Sequence, residues 1–166
     1  MHETMDTFKN AVIIKSSMKI TEILLAEHAV FHSLFDHIET VVPETKTLAV
    51  VKALAVTMER LTSPHSKTED ELFIEPLEHY FDQIGHKETF HYEHELIEEA
   101  LARVLKTKDL KLAKKFLLGA VAASRKHFHK EERIVFPMAE RVLKARTLTE
   151  LGKQWLTKRD AKMAES

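Results

Sequence analysis

The sequence predicts an all-α protein: an up-down-up-down antiparallel four-helix bundle with an N-terminal arm and a short C-terminal helix. Three observations carry this expectation. The 166 residues include only 3 Gly and 4 Pro, too few for the turn-rich connections of an all-β fold. Ala, Leu, Glu and Lys, all good helix formers, are abundant. Apolar residues recur at steps of three and four through four long segments joined by short connections. The length suits a single domain over residues 1–166, with the bundle at about 17–144 and the last helix at about 147–160.

The first helix is expected from about Ser17 to Val41, with a stripe of Leu24, His28, Phe31, Phe35 and Ile38. Val42-Pro43-Glu44-Thr45 reads as a turn, because the residue before Pro resists helical geometry. The second helix spans about Lys46 to Phe81, with Val51, Leu54, Met58, Leu61, His65, Glu69, Leu72 and Pro76 on one stripe. Ser63-Pro64 should kink or break it, since Pro lacks an N–H and crowds the preceding turn. Gly85 marks the next connection. The third helix, about His86 to Lys106, aligns Phe90, His94, Ile97, Leu101 and Leu105. Asp109 is the expected N-cap of the fourth, which runs to about Lys144 and aligns Phe116, Ala120, His127, Glu131, Ile134 and Met138. Pro137 should bend it near that end. Leu148, Leu151 and Trp155 share one face of the last helix, suited to capping the bundle or to a dimer contact.

Composition narrows the function classes. A net charge of -1 with 31% charged residues gives no pull toward nucleic acid or an anionic membrane surface. With no Cys, disulfides, thiolate ligands and thiol catalysis are excluded, so a metal would be held by His, Asp or Glu. Met1 to Ser17 has no apolar core of signal-peptide type, and no segment is apolar for long enough to span a membrane, so a cytoplasmic location is expected.

One pattern occurs twice. A Glu-His pair is followed, about thirty-five residues later, by a His with a Glu four positions on. The first copy is Glu27-His28 with His65 and Glu69. The second is Glu93-His94 with His127 and Glu131. Residues i and i+4 share one helix face, so each His-x-x-x-Glu can reach one metal, or its Glu can bridge two. His28 lies about eleven residues from the start of its helix and Glu69 about twelve from the end of its own. In antiparallel neighbours both then sit about 17 Å from the same end of the bundle, at 1.5 Å per residue. His94 and His127 fall near the same level. Four imidazoles and two carboxylates suit borderline divalent metals such as iron, and a dinuclear centre is the expected result. Left unpaired, the same groups would be costly to bury, and no basic residue recurs on their stripes.

The ordered set resembles the hemerythrin-like family, the HHE cation-binding domains, over roughly Ile20 to Val142. Phe136-Pro137 supports the likeness, with a looser counterpart in Phe73-Ile74-Glu75-Pro76. The resemblance implies a non-haem di-iron centre with ligands His28, His65, Glu69, His94, His127 and Glu131, in which Glu69 and Glu131 bridge two iron ions. Manganese or zinc are possible substitutes. Oxygen carriers of the family have two histidines on the third helix, four apart; here Phe90 stands four before His94. The chain is thus similar to the four-His, two-Glu branch, which implies binding of or reaction with O2, NO or peroxide in sensing, iron handling or stress protection. Whether it turns substrate over is left open, as are a redox partner and the choice between monomer and homodimer.

Rival readings are a metal-stabilised regulatory or interaction module without redox turnover, and a structural zinc bundle, to which six shared ligands are poorly suited. A ferritin-like site needs Glu-x-x-His on two helices, and the chain has one, Glu88 to His91. Of the other histidines, His32 is the strongest candidate to face the pocket, although a place outside it is the more common outcome, and His91 could hydrogen-bond near it. His2, His37, His79, His86 and His129 read as surface residues. Phe31, Phe35, Phe90 and Phe116 read as core that would also exclude water from the centre.

Overall fold

The computed structural model describes residues 18–81 and 87–164, and among these all regular structure is helical. The expected N-terminal arm, His2 and His86 lie outside the described residues. The elements are α1 (Ile20–Glu44), α2 (Leu48–Glu69), a π turn (Asp70–Ile74), α3 (Glu75–Phe81), α4 (Lys87–Lys106), α5 (Leu110–Lys130), a second π turn (Glu131–Val135), α6 (Phe136–Val142) and α7 (Ala145–Ala164). Helices α1, α2, α4 and α5 form the antiparallel bundle. In it α4 packs most extensively on α5, α2 on α4 and α1 on α5, and α7 lies along α1. No described helix is long and apolar enough to cross a membrane.

The ends follow local chemistry. At the start of α1 the Glu22 carboxylate reaches back to accept the Lys19 N–H at 2.8 Å. Asp109 caps α5 as expected, accepting the Leu112 N–H at 2.8 Å. Pro43 is absorbed in the last turn of α1, and the chain leaves the helix at Thr45 with extended backbone.

Of the kink or break expected at Ser63-Pro64, the break is not there: α2 runs through Pro64. Proline removes one intrahelical bond, and the carbonyl that loses it belongs to Arg60, an exposed residue whose oxygen water can serve. The irregularities come later, as the two π turns, each ending two residues before a proline, Pro76 or Pro137. A proline ring in an α-helix crowds the carbonyl four residues back. Widening the turn, so that Glu75 N–H bonds to Asp70 O and Phe136 N–H to Glu131 O, gives that carbonyl room. Pro137 thus perturbs its helix upstream of itself.

The interior divides into two apolar clusters. One contains Phe31, Phe35, Met58, Leu101, Leu117 and Phe128; the other contains Leu24, Phe73, Leu77, Val135, Phe136 and Trp155. Burying each such side chain is worth about 1.5–3 kcal/mol. Along α1, His28 falls between Leu24 and Phe31, and from α2 into the first π turn His65 falls between Met58 and Phe73. The buried polar residues therefore form a layer between the clusters.

Candidate metal centre

Each of the six histidines and carboxylates singled out by the repeat comes from a different turn of the bundle, and the structure brings all six together. His28, His65, Glu69 and Glu131 are fully buried, and His127 and His94 nearly so. Two groups of candidate ligand atoms form, each with its atoms within 4.8 Å of one another: Glu69, His94, His127 and Glu131, and His28, His65 and Glu69. Glu69 belongs to both. Glu131 also reaches toward the second, its Oε2 lying 3.5 Å from His28 Nε2. His127 Nε2 lies 2.8 Å from Glu131 Oε1 and 2.7 Å from His94 Nε2. His65 Nε2 and His94 Nε2 lie 3.7 Å and 4.0 Å from Glu69 Oε2.

The outward nitrogen of every one of these imidazoles is tied to a carboxylate. His65 Nδ1 meets Glu27 Oε2 at 2.8 Å, His94 Nδ1 meets Asp70 Oδ2 at 3.2 Å, His127 Nδ1 meets Glu93 Oε2 at 2.9 Å, and His28 Nδ1 meets Glu132 Oε1 at 3.0 Å. The arrangement is cyclic. A carboxylate on α1 holds the His of α2, one just after α2 holds the His of α4, one on α4 holds the His of α5, and one just after α5 holds the His of α1. A carboxylate on Nδ1 favours the proton there and turns Nε2 toward the centre, the orientation a metal requires, while the Nε2 atoms of His94 and His127 share one hydrogen bond.

The inward side is poor in partners. His28 Nε2, His65 Nε2 and all four oxygens of Glu69 and Glu131 find no hydrogen bond of acceptable geometry. The ion-pair partners of both carboxylates among the described residues are imidazoles, with no Lys or Arg. An unsatisfied buried polar group costs roughly 1–3 kcal/mol. Burial raises Glu69 well above the ordinary carboxylate range, with the Glu131 charge adding to it, and burial pushes Glu131 up to about 8 against the pull of His94. Burial, then the neighbouring His65 and His127, pushes His28 down to about 2, and burial also lowers His65 against the pull of Glu27. Four imidazoles around two buried carboxyl groups that meet no Lys or Arg among the described residues are a donor set that a divalent cation would complete.

The profile of the hemerythrin HHE cation binding domain matches residues 19–139. The chain belongs to that family. No curated protein and no solved structure matches it. The HHE segment contains all six clustered residues and the four carboxylates behind them, and its cation-binding character agrees with the donor set. It ends before α7.

Sequence reasoning gave Asp70 and Glu132 no role, and used Glu27 and Glu93 only as part of a motif. A signal was present: each acid is the neighbour of a candidate ligand, just before the His or just after the Glu. Adjacent helical positions differ by about 100°, so such a neighbour faces the next helix rather than the centre. His32 does not join the pocket. It sits at the rim, Nε2 3.4 Å from Glu132 Oε1 and Nδ1 3.2 Å from Arg125 Nη1. His37, His79 and His129 are exposed, as expected. The side chains of Phe90 and His91 lie outside the described residues. Phe128 stacks on the His28 ring at 3.9 Å, and Phe31 meets His65 edge-on at 5.0 Å.

Proposed function

We propose that the cluster holds two iron ions and that the protein binds or reacts with a small molecule there: O2, NO or peroxide. The observation that carries this reading is the pair of fully buried carboxyl groups, Glu69 and Glu131, set among four imidazoles each held from outside by a carboxylate on Nδ1. Glu69 and Glu131 would bridge, His28 and His65 would complete one side, and His94 and His127 the other. Bound there, two irons would supply open coordination positions and redox chemistry toward a small ligand. Zinc, which favours four ligands in a closed tetrahedron, suits the set less well.

The chain's own residues would do the rest. Glu27, Asp70, Glu93 and Glu132 hold the ring orientations. Phe31, Phe128 and Phe136 wall the layer with apolar surface, which keeps bulk water out and admits small ligands in preference to large ones. The test is to load the protein with ferrous iron without oxygen and then add O2, NO or peroxide separately. The expected outcome is a new near-ultraviolet or visible charge-transfer band with at least one of them. Two irons retained with no spectral response to any of the three would favour the other reading, a metal-stabilised regulatory or interaction module without redox turnover. That reading draws support from α7, a helix outside the HHE segment that is tied to a residue of the centre.

A further inference from the structure

Glu27 Oε2 holds His65, while Oε1 accepts the indole N–H of Trp155 at 2.9 Å. Arg159 Nε lies 3.5 Å from the same oxygen. Both come from α7, beyond the HHE segment. Trp155 is the single tryptophan of the chain and is fully buried, its ring edge-on to His65 with centroids 5.4 Å apart. An indole N–H needs only an acceptor, and a backbone carbonyl would serve. Here its acceptor is the carboxylate whose other oxygen sets a candidate ligand.

The same helix is seated by independent contacts. Leu148 is buried in the second apolar cluster, and Lys158 pairs with Glu71 just after the α2 ligand pair. At Gly152 the backbone of α7 crosses the start of α1 so closely that a Cβ would overlap the Met18 carbonyl oxygen, with Ile20 N at 3.1 Å and Lys19 C at 3.2 Å. All three are backbone atoms that cannot swing aside. The register that places Trp155 over Glu27 is therefore fixed by the close approach three residues earlier.

We propose that Trp155 is a positioning residue for the metal centre, and that metal affinity on the His28–His65 side depends on α7 being docked. The indole and Arg159 hold Glu27 in one rotamer, and Glu27 in turn holds the His65 ring with Nε2 inward. By linkage the dependence is mutual: metal on the centre strengthens α7 docking by the same factor that docking strengthens metal binding. A helix outside the HHE segment thus reads out occupancy of a site inside it.

The inference rests on the two-metal reading, and the experiment separates the two. Anaerobic ferrous titrations are run on the full chain and on Trp155→Phe, Gly152→Ala and Val104→Ala. Trp155→Phe keeps an aromatic ring and removes the N–H, and Gly152→Ala lifts α7 without touching Glu27. Val104→Ala costs core packing in the far cluster, ten residues along α4 from His94, about 15 Å at 1.5 Å per residue. Removing a carboxylate behind a ligand typically costs roughly 10–100-fold in metal affinity, so a loss of about 5-fold is expected one step further out, in the first two variants and not in the third. Amide exchange in α7 should slow on iron loading in the unaltered chain and fail to slow in Trp155→Phe, which simple loss of packing would not produce. Unchanged affinity in Trp155→Phe, or an equal loss in Val104→Ala, would overturn the inference. An unaltered chain that takes up no iron would instead overturn the two-metal reading.

Discussion

At Glu69 and Glu131 burial works against the charge each would carry in water, and at His28 it works against the proton. The two effects act in different pH ranges. In the metal-free chain Glu131 moves up from 4.5 to about 8 and Glu69 moves the same way. A carboxyl that keeps its proton in the folded state contributes stability below 4.5 and loses it as pH rises through 8. His28 moves down from 6.5 to about 2, so it contributes fully above 6.5 and its contribution is lost as pH falls below that. Between 4.5 and 6.5 the two oppose each other; from 6.5 to 8 only the carboxyl loss operates. Thermal melts of the metal-free chain should therefore decline from pH 6.5 to 8, and Glu131→Gln should flatten that decline. Iron binding, which displaces the carboxyl protons, should tighten over the same range. Glu27→Ala should weaken iron binding by roughly 10–100-fold, read by anaerobic titration. The six clustered residues were legible because they repeat at helical spacing in one order. Asp70 and Glu132 were not, since their role depends on which helix packs beside them. His32 shows the limit of a stripe: one turn beyond His28 is also about 40° round the helix, enough to move it to the rim.

The elements show where local rules suffice and where packing decides. Asp109 ends its connection as an N-cap residue should, and its role could be read directly. Pro64 could not, because what matters is whether the orphaned carbonyl faces water, and Arg60 does. Pro137 was expected to bend its helix and Pro76 was not, and neither showed that the backbone would widen into a π turn ahead of it. Helix α7 was legible as an amphipathic segment with Trp155 on its buried face. Its close crossing over Met18 and Lys19 depends on two segments far apart in sequence. Gly152→Ala should cost about 1–3 kcal/mol, the usual range for forcing added volume into a packed contact, and differential scanning calorimetry would show it as a lower midpoint.

For the molecule as a whole, a metal held in this layer would serve stability as well as function. Two apolar clusters press on a polar layer in which His28 Nε2, His65 Nε2 and the oxygens of Glu69 and Glu131 find no hydrogen bond of acceptable geometry, so the metal-free fold carries a cost that a cation would remove. A ligand bound only to the native state adds about 2.7 kcal/mol at a hundred times its dissociation constant. Metal loading should accordingly raise the unfolding midpoint of the unaltered chain. In His127→Ala and Glu131→Ala both the metal content and that rise should fall together. The bundle and its antiparallel order were legible from periodicity and short connections, because four amphipathic helices of this length have few other ways to bury their stripes.

In the proposed centre, six residues of one buried layer hold two metal ions, with Glu69 and Glu131 shared between them. Counting the ferrous ions bound per chain at saturation, without oxygen, tests it most directly. Two per chain are expected in the unaltered protein and fewer in Glu69→Ala and Glu131→Ala. One ion or none at saturation, or two that survive both substitutions, would contradict it.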